Sequence, residues 1–79
     1  MLWMVAGCLF EVSFPTAAGP WQWTNPSPEV TLVAEEERGP AHHFRFRAEA
    51  AGEVELRFAG EAAPETETVA VRIAPERLA

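Results

Sequence analysis

The sequence predicts an all-β protein, an antiparallel β-sandwich of about seven strands in a single domain spanning residues 1–79. Three observations support this prediction. Apolar and polar residues alternate along several short segments, as they do in strands that bury one face and expose the other. Turn-forming residues separate these segments at the short spacing typical of sandwiches. A chain of 79 residues has room for one core and for no second domain.

The two clearest strands are residues 43–48 and 53–58, where every second side chain is apolar and most of the others are charged. Their inward-facing residues are Phe44, Phe46, Ala48, Val54, Leu56 and Phe58. Between them, Gly52 is free to adopt a positive φ, so residues 49–52 are predicted to form a hairpin turn. In that hairpin the outward arginines would face the outward glutamates, Arg45 and Arg47 opposite Glu53 and Glu55.

Five further segments bring the count to seven: Leu2–Ala6, Leu9–Phe14, Trp21–Thr24, Val30–Ala34 and Val69–Ile73. Residues 34–38 are the only competitor for a helix, but they are too few to form one alone and Gly39-Pro40 stops it. Seven short antiparallel strands predict an immunoglobulin-like sandwich. The predicted shared core is Phe10, Val12, Phe14, Trp23, Phe44, Phe46, Val54, Leu56, Phe58, Val69, Val71 and Ile73.

The composition of the chain argues against two classes of partner, nucleic acids and the membrane interior. The formal net charge of −6, with arginines scattered rather than clustered, is unfavourable for contact with phosphate backbones, and we expect no nucleic-acid binding. The apolar residues are spread along the chain rather than gathered in a run of about 18 or more, so no membrane span is predicted. The oligomeric state stays open at this stage.

The sequence contains no recognisable catalytic motif. A Gly-rich phosphate loop, a paired-cysteine motif and aspartate are all absent, which removes P-loop, zinc-ribbon and Ser-His-Asp interpretations. His42 and His43 are neighbours that would point to opposite faces of a strand, so we expect them to hold no common metal ion. We place His42 in a loop and His43 on a solvated strand face. No enzyme activity, cofactor or metal is predicted.

Cys8 is the single cysteine, so no internal disulfide can form, and we expect it to be a small buried or half-buried residue. Val5–Cys8 has the residue types of a lipoprotein cleavage site. Only Met1–Met4 precede it, without Lys or Arg and without a sufficient apolar stretch. We therefore interpret the match as a coincidence and expect a cytoplasmic location for the recorded sequence, or export if the true start lies upstream.

Read in order, four segments resemble the chagasin family: Ala6–Pro15, Trp21–Trp23, Gly39–Phe46 and Ala50–Phe58. They carry a Gly entering an apolar strand, an aromatic-x-Trp strand start, an alternating strand after a glycine-containing loop, and an Ala-Gly turn before the next strand. The resemblance implies an immunoglobulin-like sandwich that inhibits papain-type cysteine proteases by placing three loops of one end into the protease cleft.

The loops match the family unevenly. The first, residues 15–20, keeps a threonine and the glycine of the family's N-P-T-T-G, and the second, residues 37–42, keeps one glycine. The third, residues 59–65, has neither the arginine nor the tryptophan of the family's R-P-W. Carried over by position, the implied partner-binding residues are Thr16, Ala17, Ala18, Gly19, Pro20, Arg38, Gly39, Pro40, Ala41, Gly60 and Glu61, with 16–19 lying deepest.

Two alternatives remain open besides a papain-family protease as partner. The first is an immunoglobulin-like interaction or structural module without inhibitory activity. The second is sugar binding, because Trp21 and Trp23 share one face of a strand and could form an aromatic platform, although tryptophans in this spacing also suit a core. Whether these two side chains are exposed or buried distinguishes a sugar-binding platform from a position in the core.

Overall fold

The computed structural model describes residues 1–76, which form seven strands and one short turn of 3-10 helix. The strands are β1 (Leu2–Val5), β2 (Leu9–Pro15), β3 (Trp21–Trp23), β4 (Val30–Arg38), β5 (Ala41–Ala48), β6 (Gly52–Gly60) and β7 (Glu67–Ala74). The helical turn, Thr16–Ala18, lies between β2 and β3. The predicted all-β class with seven strands is confirmed.

The strands form two sheets that pack as a sandwich. One sheet has the order β1-β7-β6-β3 and the other has the order β2-β5-β4. All neighbours are antiparallel except β1 and β7, which run parallel. Among the strands of residues 1–76, only β4-β5 and β6-β7 are hairpins between consecutive strands, because every other connection crosses from one sheet to the other. The end of β2 pairs with the start of β5 and the start of β3 pairs with the end of β6, so both hairpin turns lie at the same end as the β2-β3 connection.

The predicted hairpin over residues 49–52 is wrong, because β5 and β6 belong to different sheets. Both strands bury an aromatic face, and they place those faces against each other across the core instead of pairing edge to edge. The backbone N–H groups of Glu49 and Ala50 donate to the carbonyl of Glu29, just before β4, so the start of the connection is still bonded to the sheet that contains β5. Gly52 does take a positive φ, of 145°.

The predicted ion pairs across that hairpin are accordingly replaced. Arg45 lies opposite Glu11 on β2, with 3.6 Å between Nη2 and Oε1. Glu53 lies opposite Arg72 on β7, with 3.2 Å between Oε1 and Nη1. The alternation correctly identified the outward faces, but each face meets a different strand from the one expected.

The core combines the inward residues of both sheets, and every predicted core residue is either buried or packed against the buried cluster. Phe44 and Phe46 are fully buried while the intervening Arg45 is exposed, which confirms the predicted register of β5. Buried Trp21 and Val30 were absent from the predicted core, and Ala48 was placed inward only by its strand pattern.

The segment considered as a helical competitor is strand. β4 extends to Arg38, four residues beyond the predicted end at Ala34. The register shifts between Leu32 and Ala34, so the strand contains a bulge at exposed Val33. Pairing with β5 supplies backbone partners that an isolated five-residue helix would lack.

Candidate functional site

The three loops implied by the resemblance lie side by side. We call residues 15–20 loop 1, residues 37–42 loop 2 and residues 59–65 loop 3. The N–H of Thr16 in loop 1 donates to the carbonyl of Pro40 in loop 2 over 2.8 Å. On the other side, the N–H of Glu61 donates to the Pro20 carbonyl and that of Ala62 to the Ala18 carbonyl, each over 3.0 Å. Loop 1 is therefore the middle of a continuous edge.

Trp21 holds loop 1 in place. Its indole Nε1 donates to the Pro15 carbonyl over 2.7 Å, which closes the loop at its base. Its ring is only 5% exposed and stacks on Phe14 with centroids 4.6 Å apart. Within the loop, the Gly19 N–H donates to the Thr16 carbonyl over 2.9 Å and completes the helical turn. The predicted core contained Trp23 but not Trp21, although the alternation of Trp-Gln-Trp places both side chains on the same face and therefore carried the signal for Trp21.

Loops 1 and 3 approach each other at Gly60. A Cβ atom on Gly60 would lie 2.5 Å from the Ala18 carbonyl oxygen and 3.0 Å from the indole ring of Trp21. Only a residue without a side chain fits this junction. Ala18 itself packs against the core, which leaves Ala17 as the exposed tip of the turn.

Replacing Gly60 with alanine should therefore destabilise the protein by about 1–3 kcal/mol, the usual cost of overpacking, because the nearest obstacle is backbone and cannot rotate away. Urea unfolding followed by tryptophan fluorescence measures the change. Ala62→Ser adds one atom at an exposed neighbouring position and should cost less than about 0.5 kcal/mol. Equal stability of the two variants would contradict the close approach.

Loop 2 is tighter than predicted. β4 ends at Arg38 and β5 begins at Ala41, and these two residues face each other in the ladder, so only Gly39 and Pro40 form the turn. Gly39 has a φ of +55°, which suits the first central position of a two-residue hairpin. The remaining positions of residues 37–42 belong to strands.

His42 lies at the base of loop 2, on β5, and not in a loop as predicted. It is buried, at 7% exposure, and its ring packs on Phe44 with centroids 4.7 Å apart. Its Nε2 lies 3.0 Å from Oε2 of Glu35, and its Nδ1 lies 3.6 Å from Oε1 of Glu37. Because the register pairs Glu35 with Phe44 and Glu37 with His42, both carboxylates lie on the same sheet face as the imidazole while remaining exposed at edge strand β4.

His43 points to the opposite face of the sheet, as predicted for adjacent strand residues. Its Nδ1 lies 2.7 Å from Oγ of Ser13 and 3.1 Å from Oε2 of Glu11. A serine relay needs the hydroxyl and the carboxylate on different ring nitrogens, whereas here both contact the same one. Among residues 1–76, no group of three His, Cys or acidic side chains is arranged to hold a metal ion.

The premise of the sugar-binding alternative is wrong, because neither tryptophan of β3 presents a free platform. Trp21 is buried, and Trp23 is half-buried with its ring edge-on to Phe46 at 5.0 Å. Trp3 is the exposed tryptophan, and its ring lies 4.9 Å from the guanidinium of Arg72.

The expected burial of Cys8 is also wrong, because the residue lies exposed in the turn between β1 and β2.

The implied binding residues divide by exposure. Those exposed are Ala17, Pro20, Arg38, Gly39, Pro40 and Glu61. Those half-buried between the loops or against the core are Thr16, Ala18, Gly19, Ala41 and Gly60. The expectation that residues 16–19 would all reach deepest into a partner therefore narrows to Ala17, since Ala18 faces the protein's own core.

Loop 3 begins where β6 ends, with a turn in which the Ala63 N–H donates to the Gly60 carbonyl over 3.0 Å. It presents exposed Glu61, Pro64 and Glu65 and no aromatic side chain.

In the described part of the chain, no helix is both long and apolar enough to cross a membrane. No protein-family model matches the chain, and neither the curated proteins nor the solved structures contain a match to it.

Proposed function

We propose that this protein is a chagasin-like inhibitor of papain-type cysteine proteases, or a divergent relative, that acts by occluding the protease cleft with loops 1–3. The observation that supports this function is the hydrogen-bonded contact of loop 1 with both neighbouring loops. A cleft is filled by a continuous edge, and this edge is already assembled in the isolated chain. No covalent chemistry is required.

The construction of loop 1 suits this mode of binding. Its tip, Ala17, carries a small side chain, and the turn beneath it is held by the Thr16 carbonyl and by the indole of Trp21. A loop already ordered before binding loses little conformational freedom when it enters a cleft, which leaves more of the contact energy as affinity. Loop 2, a two-residue turn, is similarly restricted.

Loop 3 limits the expected strength of inhibition. The family's arginine and tryptophan are replaced here by residues without an anchoring ring. Interface energy concentrates in a few such anchors, and the loss of one commonly costs about 2 kcal/mol or more, close to thirtyfold in affinity. We therefore expect weaker inhibition than the complete set of loop motifs would provide.

The test is titration of several papain-type proteases with the intact protein, each with its cleft free or blocked by a covalent inhibitor of the catalytic cysteine. We expect binding and competitive inhibition with the free enzyme and no binding to the blocked enzyme, because both ligands need the same cleft. Binding that survives the block would place the interface elsewhere. Absence of inhibition across the set would remove the inhibitor function.

The acidic character of loop 3 favours a second candidate, an immunoglobulin-like interaction module without inhibitory activity. Exposed Glu61 and Glu65 lie in the loop where the family carries its arginine and tryptophan. A partner recognised in this way would bind the same loop edge and leave protease activity unchanged. The blocked-cleft titration distinguishes the two functions.

A further inference from the structure

The negative charge of the molecule is concentrated at the loop end. Residues 35–42 hold three glutamates and one arginine, and residues 59–67 hold three more glutamates. These two segments therefore carry five of the six units of net negative charge in the chain. Loop 1, which lies between them, contains no charged residue. The edge consequently has an uncharged centre between two acidic rims. The rim of loop 2 is formed by the glutamates at 35–37, and the rim of loop 3 by Glu61, Glu65 and Glu67.

Ion pairing sharpens this asymmetry. On the body of the sandwich, glutamates lie within 4 Å of arginines in the pairs Glu11–Arg45, Glu49–Arg47, Glu55–Arg57 and Glu53–Arg72. At the loop end, the described residues contain one such pair, Glu36 with Arg38 at 2.9 Å. The carboxylates at the rim of loop 3 have no arginine within that distance in the described chain. The positive groups thus neutralise the body and leave the rims acidic.

The imidazole of His42 supplies an independent observation. This side chain is more than nine-tenths buried, and its Nδ1 has no hydrogen-bond partner. Its Nε2 lies 3.0 Å from Oε2 of Glu35, and its Nδ1 lies 3.6 Å from Oε1 of Glu37. The Glu37 carboxylate is 61% exposed and has no arginine within 4 Å in the described chain, so a partner ammonium or guanidinium can bind it.

From an uncharged loop 1 between two acidic rims, we infer that the partner protein carries lysine and arginine side chains on both sides of an uncharged cleft. This inference rests on the proposed function and specifies which papain-type proteases the edge fits. Carboxylates that become buried without a positive partner lose solvation with no compensation, so a protease with acidic cleft walls is disfavoured. Opposite charge around the contact also accelerates encounter.

The experiment measures association rate constants with two papain-type proteases, one with a basic cleft rim and one with an acidic rim, from low to high salt. Screening shortens the Debye length from about 30 Å at 0.01 M to about 3 Å at 1 M. We expect the basic-rimmed protease to associate at least about tenfold faster at low salt, and the difference to shrink at high salt.

Charge-removing variants identify which glutamates act. Glu61→Gln/Glu65→Gln/Glu67→Gln removes three charges at the rim of loop 3, and Glu53→Gln/Glu55→Gln/Glu76→Gln removes three from exposed positions away from it. We expect the first variant to lose several-fold in association rate with the basic-rimmed protease and the second to lose much less. Thermal unfolding of both variants checks that each is folded.

The outcomes separate the two proposals. Inhibition of both proteases at equal, salt-independent rates would overturn the charge inference and leave the inhibitor function standing. Equal slowing by the two triple variants would also overturn it, because net charge and not its placement would then govern association. Inhibition of neither protease would remove the inhibitor function together with the inference that rests on it.

Discussion

Phe44→Ala is expected to destabilise the protein by about 3–5 kcal/mol, the usual cost of truncating a buried aromatic residue. The side chain is fully buried, and its ring lies 4.9 Å from that of Phe58 and 6.2 Å from that of Phe14, centroid to centroid. It therefore joins β5 to strands of both sheets. In a domain of this size, each 1 kcal/mol lowers the melting temperature by about 4–8 °C, so a fall of at least about 12 °C is expected.

Urea and thermal unfolding measure this loss, with Leu9→Ala as the matched control. Leu9 lies 59% exposed, and its truncation should change stability by less than about 0.5 kcal/mol. Comparable effects of the two substitutions would show that the aromatic cluster is not the centre of the core. A variant too unstable to purify is consistent with the prediction if Phe44→Leu, which retains most of the volume, is recovered folded.

Under the proposed function, Ala17→Arg is expected to weaken inhibition of a papain-type protease by at least about a hundredfold, about 2.7 kcal/mol of binding free energy. The reason is steric: Ala17 is the exposed tip of the middle loop, and an arginine there would meet the floor of the cleft before the flanking loops engage. Because the side chain is exposed, unfolding stability should change by less than about 0.5 kcal/mol. Inhibition constants and melting temperatures together test the prediction.

Ala51→Arg is the control, since it makes the same substitution at an exposed position in the β5-β6 connection at the opposite end of the sandwich. Inhibition by this variant should match that of the unmodified protein. Ala18 is not a suitable test position, because its side chain packs against the core and its carbonyl accepts from Ala62. Undiminished inhibition by Ala17→Arg would show that loop 1 does not enter the cleft.

The fold class followed from local pattern because a two-residue period records which face of a strand is buried. Phe44 and Phe46 are buried and Arg45 is exposed, as the alternation in residues 43–48 required. The glycine at position 52 likewise indicated a backbone with positive φ. These features depend on neighbours in the chain, and such information is present in the sequence itself.

Strand partners were decided by the tertiary structure. The link at residues 49–52 has a length that permits either a hairpin or a crossing between sheets, and burial of Phe46 against Phe58 across the core favoured the crossing. The exposed glutamates could pair with arginines on several strands, and register alone selected Glu11 for Arg45. Cross-strand ion pairs contribute too little to direct topology.

The sequence by itself determined the number of strands and the inward faces of the clearest ones. Only the tertiary structure decided that loop 1 is bonded to both neighbours, that Trp21 closes its base, and that Ala17 and not Ala18 forms its tip. Periodicity encodes the face of a strand, whereas contacts between loops far apart in sequence depend on how two sheets stack. The burial of His42 between Glu35 and Glu37 has the same origin, since it required the bulge that sets the register of β4 against β5.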